Sequence, residues 1–388
     1  MTDQYPSNKY SKSKVGKAGK ALVNGKLDAT EFDQAMDVLS WWRYQHEKPL
    51  EIAYRVLKSI SNKHEKKEAI YAKRLKRKES ITRKLIRYPR MSLKNMQDLG
   101  GCRVILPNLK KVKKVVRELR TKEYFKDDTG RVLCDDYISK PKLDGYRSYH
   151  LKGKFPTNDG KDYRIELQVR TVLQHSWATA IEIVDLFTGQ ALKSNSGTEQ
   201  WKRFFAKVSQ QFAYMEDIIL FERMDNSEKF KEYSERIMKK ENGLDACIEC
   251  QRLSKSLSVR ESFEGYAQSL KIASEHILGS KIEGYVLVEV DVNAGAVGTT
   301  LFPAEQVDDA QLMYIECEKK ASSAQDVLVA LVSSSAIGGI REAYPNFFAD
   351  STIFIQHLEL INTIPPKELS KKWARALESV TGKRVSEF

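Results

Sequence analysis

Residues 136–150 read DYISKPKLDGYRSYH and residues 164–180 read RIELQVRTVLQHSWATA. The first stretch is a loop, dense in turn formers (Pro141, Asp144, Gly145), that runs into a strand-like SYHLKGKF. The second opens as a strand, YRIELQV, and turns helical from Thr171 to Phe187, with Gly189 as its stop. Side chains alternate across a strand, so Glu166, Gln168 and Arg170 share one face. A carboxylate, an amide and a guanidinium in a row are of no use to a core and belong to a site.

Two upstream segments carry the same kind of signal. In AKRLKRKESITRKL (72–85), Arg74 and Lys76 alternate on extended backbone, and Ser80 and Lys84 then share a face of the following helix. In MQDLGGCRV (96–104), Asp98 precedes a Gly-Gly pair and Arg103 follows within the strand. One carboxylate from each of two strands, Asp98 and Glu166, is the least equipment that holds Mg²⁺ between phosphates. Taken singly, Asp98 also reads as a turn cap, Tyr146 as a packed loop aromatic, and Glu166 with Arg170 as a surface pair.

Around these segments the pattern alternates helix and strand. Asp28 to about His64 is helical, split near Pro49, which suits the first turn of the second helix. Ile70–Lys78 reads as a strand running into a loop, and Glu79–Tyr88 as a helix that stops before Pro89. CRVILP is a strand ended by proline, and LKKVKKVVRELRTK a helix with Leu109, Val112, Val115, Val116 and Leu119 on one face. RVLCDDYI is a further strand, and Glu199–Arg223 a further helix. The first 225 residues therefore read as an α+β domain around a mixed sheet.

Charge is unevenly spread. Residues 1–150 hold 36 Lys and Arg against 18 Asp and Glu, whereas the remainder is slightly acidic within a chain of net charge +13. A basic front attracts polyanions such as nucleotides or RNA, and it also keeps a surface soluble. No run of eighteen apolar residues appears, and MTDQYPSNKYSKSKVGKAGK has no apolar stretch of a secretory signal, so the expectation is cytoplasmic with no membrane partner. Five cysteines are too few and too odd a set for a disulfide framework. Cys247 and Cys250 form a C-x-x-C pair that only Cys317 or a histidine such as His276 would complete as a zinc site, so they read as reduced thiols on a helix.

The four segments, in this order from about residue 50 to 215, resemble the synthetase domain of the RelA/SpoT alarmone synthetases, in particular the small single-domain branch. The resemblance implies a nucleotidyltransferase-like mixed sheet flanked by helices, ATP as donor and Mg²⁺ as metal. It also implies attack by an acceptor 3′-hydroxyl on the β-phosphorus of ATP, with AMP leaving. By the same resemblance Arg74 and Arg103 sandwich the adenine, Lys76, Ser80 and Lys84 contact the ATP phosphates, and Asp98 binds the metal. Glu166 helps hold it and orients or deprotonates the hydroxyl. Tyr146 stacks on the acceptor base, Lys142, Arg147 and His150 surround its phosphates, and Gln168 and Arg170 complete the E-x-Q-x-R strand. The chain departs from the pattern at Asp135, where many members carry a basic residue; a carboxylate there repels a guanosine diphosphate. The expectation is that no His-Asp hydrolase domain precedes the synthetase region.

The domain expectation is a flexible basic arm over 1–27, the pyrophosphokinase domain over 28–225, a charged helical connector over 226–279, a small α/β domain over 280–362 and a terminal helix over 363–388. In the small domain GYVLVEVDV, GTTLFP and DVLVALV read as strands, AEQVDDAQLMYIECEKK and SSAIGGIREAY as helices, and IPPKELSKKWARALES as the last helix. The layout resembles small alarmone synthetases fused to an antitoxin-like domain that senses a phage protein. Toxic members of the family modify guanine nucleotides, adenine nucleotides or the 3′-CCA end of tRNA. GDP, GTP and tRNA thus stand as acceptors, with the C-terminal domain as an intramolecular inhibitor released by a protein trigger. The acidic stretch 301–350 is its candidate docking surface, a dimerisation module the plainer role, and YPNFFAD an aromatic patch serving either. The rival readings are a non-catalytic RNA-binding protein and a nucleotide sensor, neither of which needs Asp98 and Glu166 together with Arg74, Lys76 and Arg103.

Overall fold

The computed structural model describes residues 9–24, 27–76, 78–157, 160–188, 192, 197–266, 284–291, 296–306, 309–310, 312–314, 316–317, 327–333 and 347–365. They fall into two compact units, one of residues 1–140 and 148–171, the other of 141–147 and 172–388. The helix expected over 334–344, residues 366–379 of the last expected helix, and His276 lie outside the described residues, as does much of the acidic stretch.

The first unit is built on a five-stranded mixed sheet: β1 (Ile70–Leu75), β2 (Gly100–Leu106), β3 (Cys134–Asp136), β4 (Tyr149–Pro156) and β5 (Asp162–Thr171), in the order β1-β2-β5-β4-β3. Only β2 and β5 run parallel; the other pairs are antiparallel. Cys102, Val104, Leu151, Ile165, Leu167 and Val169 point to one face and are buried there. That face is covered by α3 (Glu47–His64) through Leu50, Ala53, Leu57 and Ile60, and by α5 (Leu109–Leu119) through Val112, Val115, Val116 and Leu119. Asn108 caps α5 by accepting from the Lys111 amide at 3.0 Å. Pleating sends the alternate residues of the same strands to the opposite face, which is where every charged strand residue of the sequence reading sits.

A second apolar cluster supports the outer part of this unit. Helix α2 (Ala29–Tyr44) starts in a capping box between Asp28 and Glu31 and contributes Val38, Leu39, Trp41 and Trp42. Helix α1 (Lys12–Asn24) falls inside the stretch expected to be a flexible arm. Val15, Ala18 and Gly19 stand at helical spacing and bury, and a Cβ on Gly19 would come within 2.6 Å of Leu93. A lysine-rich composition therefore hid a narrow packing stripe. Helix α4 (Lys78–Arg87) follows β1 and buries Ile81 and Leu85 in the same cluster.

The second unit contains α6 (Val172–Thr188), α7 (Glu199–Glu216), α8 (Asn226–Met238) and α9 (Gly243–Ser256), a helical segment over 259–266, the antiparallel sheet β7-β6-β8 (β6 Gly284–Asp291, β7 Ala296–Pro303, β8 Val327–Ser333) and α10 (Phe347–Asn362). Helix α7 ends earlier than expected, at Glu216; Leu220 takes a left-handed conformation, and a short 3₁₀ turn covers Phe221–Arg223. The stretch 226–279, expected as a charged helical connector, is helical and packed over its described part: Tyr233, Ile237, Cys247, Cys250, Leu253 and Phe263 lie in one core with α6 and α7. Helix α10 joins that same core. Phe354 packs on Phe205, Phe212 and Phe263, and Gln251 donates to the carbonyls of Ile361 and Ile364 at 2.8 and 2.7 Å. Cys247 and Cys250 are free and buried. No group of three metal-ligating side chains occurs among the described residues, and burial pushes the Cys247 thiol up to about 11.

Candidate active site

Strand register assembles the site in the first unit. Arg74 lies opposite Gly101, Gly101 opposite Glu166, and Glu166 opposite Lys152. One row further, Arg103 stands opposite Gln168, and Gln168 opposite His150. Partners in register share a face, so Arg74, Arg103, Glu166, Gln168 and His150 project together from the face that α3 and α5 leave uncovered. Sequence alternation fixed the face within each strand; the strand order makes it a common one.

Along β5 the side chains form a relay. Arg170 donates to Gln168, and the Gln168 amide donates to Glu166 Oε1 at 2.7 Å. His150 Nδ1 stands 3.5 Å from Glu166 Oε2, and its ring meets Tyr137 edge-on. Burial pushes the Glu166 carboxyl up, but His150, the Gln168 amide and the Lys84 ammonium together hold it well below the usual carboxylate range. Glu166 is thus ionised and oriented, with further lone pairs available on both oxygens.

Asp98, just before β2, is the second anchor. Lys76 Nζ and Lys84 Nζ each lie 2.8 Å from its Oδ2. Burial raises this carboxyl, and the two ammonium groups outweigh that and keep it below its ordinary value. Its other oxygen, Oδ1, is buried and accepts no hydrogen bond among the described residues. A buried carboxylate oxygen without a donor suits a hard cation, so the donor set fits Mg²⁺. Ser80 is half-buried on α4, and Arg103 is buried within β2.

The remaining expected residues belong to the second unit, on the loop 141–147. Lys142 stands 5.0 Å over the Tyr146 ring, which also packs near Trp177. Asp144 accepts from the Tyr146 amide at 2.9 Å, closing the turn. Gly145 has φ +89°, and a Cβ there would meet Ala206 Cα at 2.9 Å and Ser209 Cβ at 3.0 Å. Only glycine meets both demands. Arg147, expected near the acceptor's phosphates, is buried and its guanidinium is paired with Glu216, to which Gln174 also donates at 3.3 Å. It ties the loop to α6 and α7.

Lys152, Glu216, Gln174 and Ser209 escaped the sequence reading. Glu216 lies 69 positions from Arg147, and no local pattern links them. Lys152 was legible as the residue two before Lys154 on β4, and its importance comes from register: its Nζ lies 2.8 Å from Asp135. The repulsion expected of Asp135 is therefore compensated within the sheet.

Residues 73–183 match the family described as the region found in RelA / SpoT proteins. That stretch is similar to the RelA/SpoT region. Every residue expected at the site lies inside it. GTP pyrophosphokinase YwaC of Bacillus subtilis is 35% identical over 114 residues, 27% of this chain and 52% of that protein. GTP pyrophosphokinase YjbM of the same organism is 33% identical over 104 residues, 26% of this chain and 46% of that protein. The chain thus spans about half the length of these curated relatives. A solved structure of small alarmone synthetase 1 from Bacillus subtilis, bound to its product pppGpp, is 25% identical with a TM-score of 0.39, over 46% of this chain and 93% of that one.

Proposed function

We propose that the chain is a pyrophosphokinase that transfers the β,γ-pyrophosphate of ATP to a 3′-hydroxyl of GDP or GTP, or of a tRNA 3′-CCA end. The observation that carries this reading is the shared face of Arg74, Arg103, Glu166, Gln168 and His150 in the unit that also holds Asp98 between Lys76 and Lys84. Such a transfer needs placement and charge neutralisation more than covalent help, and this set supplies both.

The roles follow from the chemistry of each group. The guanidinium groups of Arg74 and Arg103 are flat, permanently charged and suited to stacking on adenine. Lys76, Lys84 and Ser80 neutralise and bind the phosphates of the donor. Glu166, held ionised by its neighbours, orients the acceptor hydroxyl and takes its proton as the oxygen–phosphorus bond forms at the β-phosphorus and AMP departs with the bridging oxygen. Gln168 and Arg170 keep that carboxylate aimed. Asp98 Oδ1 and Glu166 would hold Mg²⁺, which supplies charge neutralisation between the phosphates when bound. Tyr146 provides a stacking surface for the acceptor base and Lys142 a cation for its phosphates, while Arg147 positions the loop through Glu216.

The Lys152–Asp135 pair supports a guanine nucleotide as acceptor, since it offsets the one carboxylate that argued against it. The basic residues 1–150 support RNA. On either acceptor an unopposed synthetase inhibits growth, and control by the second unit and a protein trigger is part of the same reading. The test is incubation of the full chain with γ-³²P-labelled ATP and GDP, GTP or deacylated tRNA, beside Glu166→Gln. Label on one acceptor, reduced at least about 100-fold by the substitution, is expected. No labelled acceptor with the folded wild-type chain would sink the reading.

A further inference from the structure

Helices α1 and α2, the loop before β2 and the first residues of β5 enclose a cavity of about 510 Å³, within the first unit and lined by none of the residues assigned above. That volume lies in the range of small-molecule sites, roughly 300–1,000 Å³. Its floor is aromatic. The rings of Trp42, His46 and Tyr163 pack with centroids 4.8–5.2 Å apart, and each is more than nine-tenths buried.

This floor carries unused hydrogen-bonding capacity. The Trp42 Nε1–H is buried and has no partner among the described residues, although a buried indole N–H ordinarily finds one. Burial pushes the His46 imidazole down to about 4, so the ring is neutral near pH 7. Its Nδ1 lies 2.8 Å from the Trp42 carbonyl and must donate there, which leaves Nε2 as an acceptor nitrogen. A donor and an acceptor beside aromatic surface match the edge of a planar base. The rim is cationic: Lys12, Lys94 and Arg164 are exposed against the single carboxylate of Asp162.

We propose that this cavity binds one nucleoside phosphate, its base against Trp42, His46 and Tyr163 and its phosphate at Lys12, Lys94 and Arg164. The unit bound is either a free nucleotide or one residue of an RNA chain; the chemistry is the same. The proposal stands apart from the transfer reaction, because binding here needs neither Asp98 nor Glu166.

The full chain is titrated calorimetrically with AMP, GMP, CMP and UMP and with a five-nucleotide single-stranded RNA, using wild type, Lys94→Glu/Arg164→Glu, Trp42→Phe and Arg74→Ala. The rim pair is expected to weaken binding about ten-fold or more, by loss of phosphate contacts. Trp42→Phe, which keeps an aromatic ring and removes the N–H, weakens it several-fold, and Arg74→Ala leaves this binding in place. Thermal unfolding of each variant reports its fold. Independently of any variant, photolysis of wild type with 8-azido-AMP or a 4-thiouridine oligonucleotide labels the peptides holding Trp42 or Tyr163. A response to mononucleotides names the free nucleotide as ligand, and one confined to the oligonucleotide names RNA. Unchanged affinity in the folded rim variant, label only on the Arg74 or Arg103 peptides, or no binding by wild type overturns the proposal. A chain that binds here yet transfers no pyrophosphate keeps this inference and loses the earlier one.

Discussion

Asp98 divides its two oxygens: Oδ2 pairs with two lysines, while Oδ1 is buried and accepts no hydrogen bond among the described residues. Asp98→Asn keeps the shape and removes the charge, so turnover should fall about 100- to 1,000-fold with the fold intact, as read by labelled transfer beside circular dichroism. Glu216 is the opposite case, a residue whose role is to hold another. Replacing it by Ala leaves the buried Arg147 guanidinium uncompensated, and a loss of about 3–5 kcal/mol is expected in denaturant titration. A loss under about 1 kcal/mol, the worth of an exposed pair, would show that the contact is not buried in solution. His46 sets an acid limit. Its folded pKa, about 4, lies below the unfolded value near 6.5, so between these limits the unfolded chain binds the extra proton and stability rises with pH. Stability should therefore be complete above pH 6.5 and fall by on the order of 3 kcal/mol as pH drops towards 4. Melting curves across that window should lose this slope in His46→Asn.

At the scale of elements, the loop 141–147 depends on Gly145. Gly145→Ala imposes a disfavoured φ and a clash with α7 backbone, so a cost of about 1–3 kcal/mol or more is expected, with acceptor KM rising and donor KM little changed. Steady-state kinetics with each substrate varied separately decide it; equal effects on both would remove the loop from acceptor binding. The loop also marks what was legible beforehand. Its turn chemistry was in the letters, as was the face of β5, because alternation needs only one strand. That Arg74, Gly101 and Glu166 form a row was not legible, since register depends on which strands become neighbours. Helix α10 was missed for a different reason. FFADSTIFIQHLELIN is apolar on most sides, so it lacks the contrast that marks a surface helix, and such a helix belongs in a core. The converse holds in 226–279, where an exposed charged face masked a buried stripe of Tyr233, Ile237, Cys247 and Cys250.

At the scale of the whole chain, the position of α10 constrains how control by the C-terminal region can be tested. Phe354, Leu358 and Ile361 are essentially fully buried among residues of α6, α7 and α9, more than a hundred positions away. A chain ended before Phe347 loses all three, and at about 1.5–3 kcal/mol for each side chain the deficit is comparable to the entire stability of a typical domain. Truncation should therefore yield a second unit that binds hydrophobic dye and lacks near-ultraviolet circular dichroism, not an enzyme freed of its inhibitor. The loop 141–147 belongs to the same unit and is held by α6 and α7, so acceptor binding fails with it. Inhibition has to be sought in the intact chain, through substitutions that leave the α10 core alone. A truncated protein that is soluble, cooperatively folded and more active would show instead that α10 is dispensable to the core it occupies.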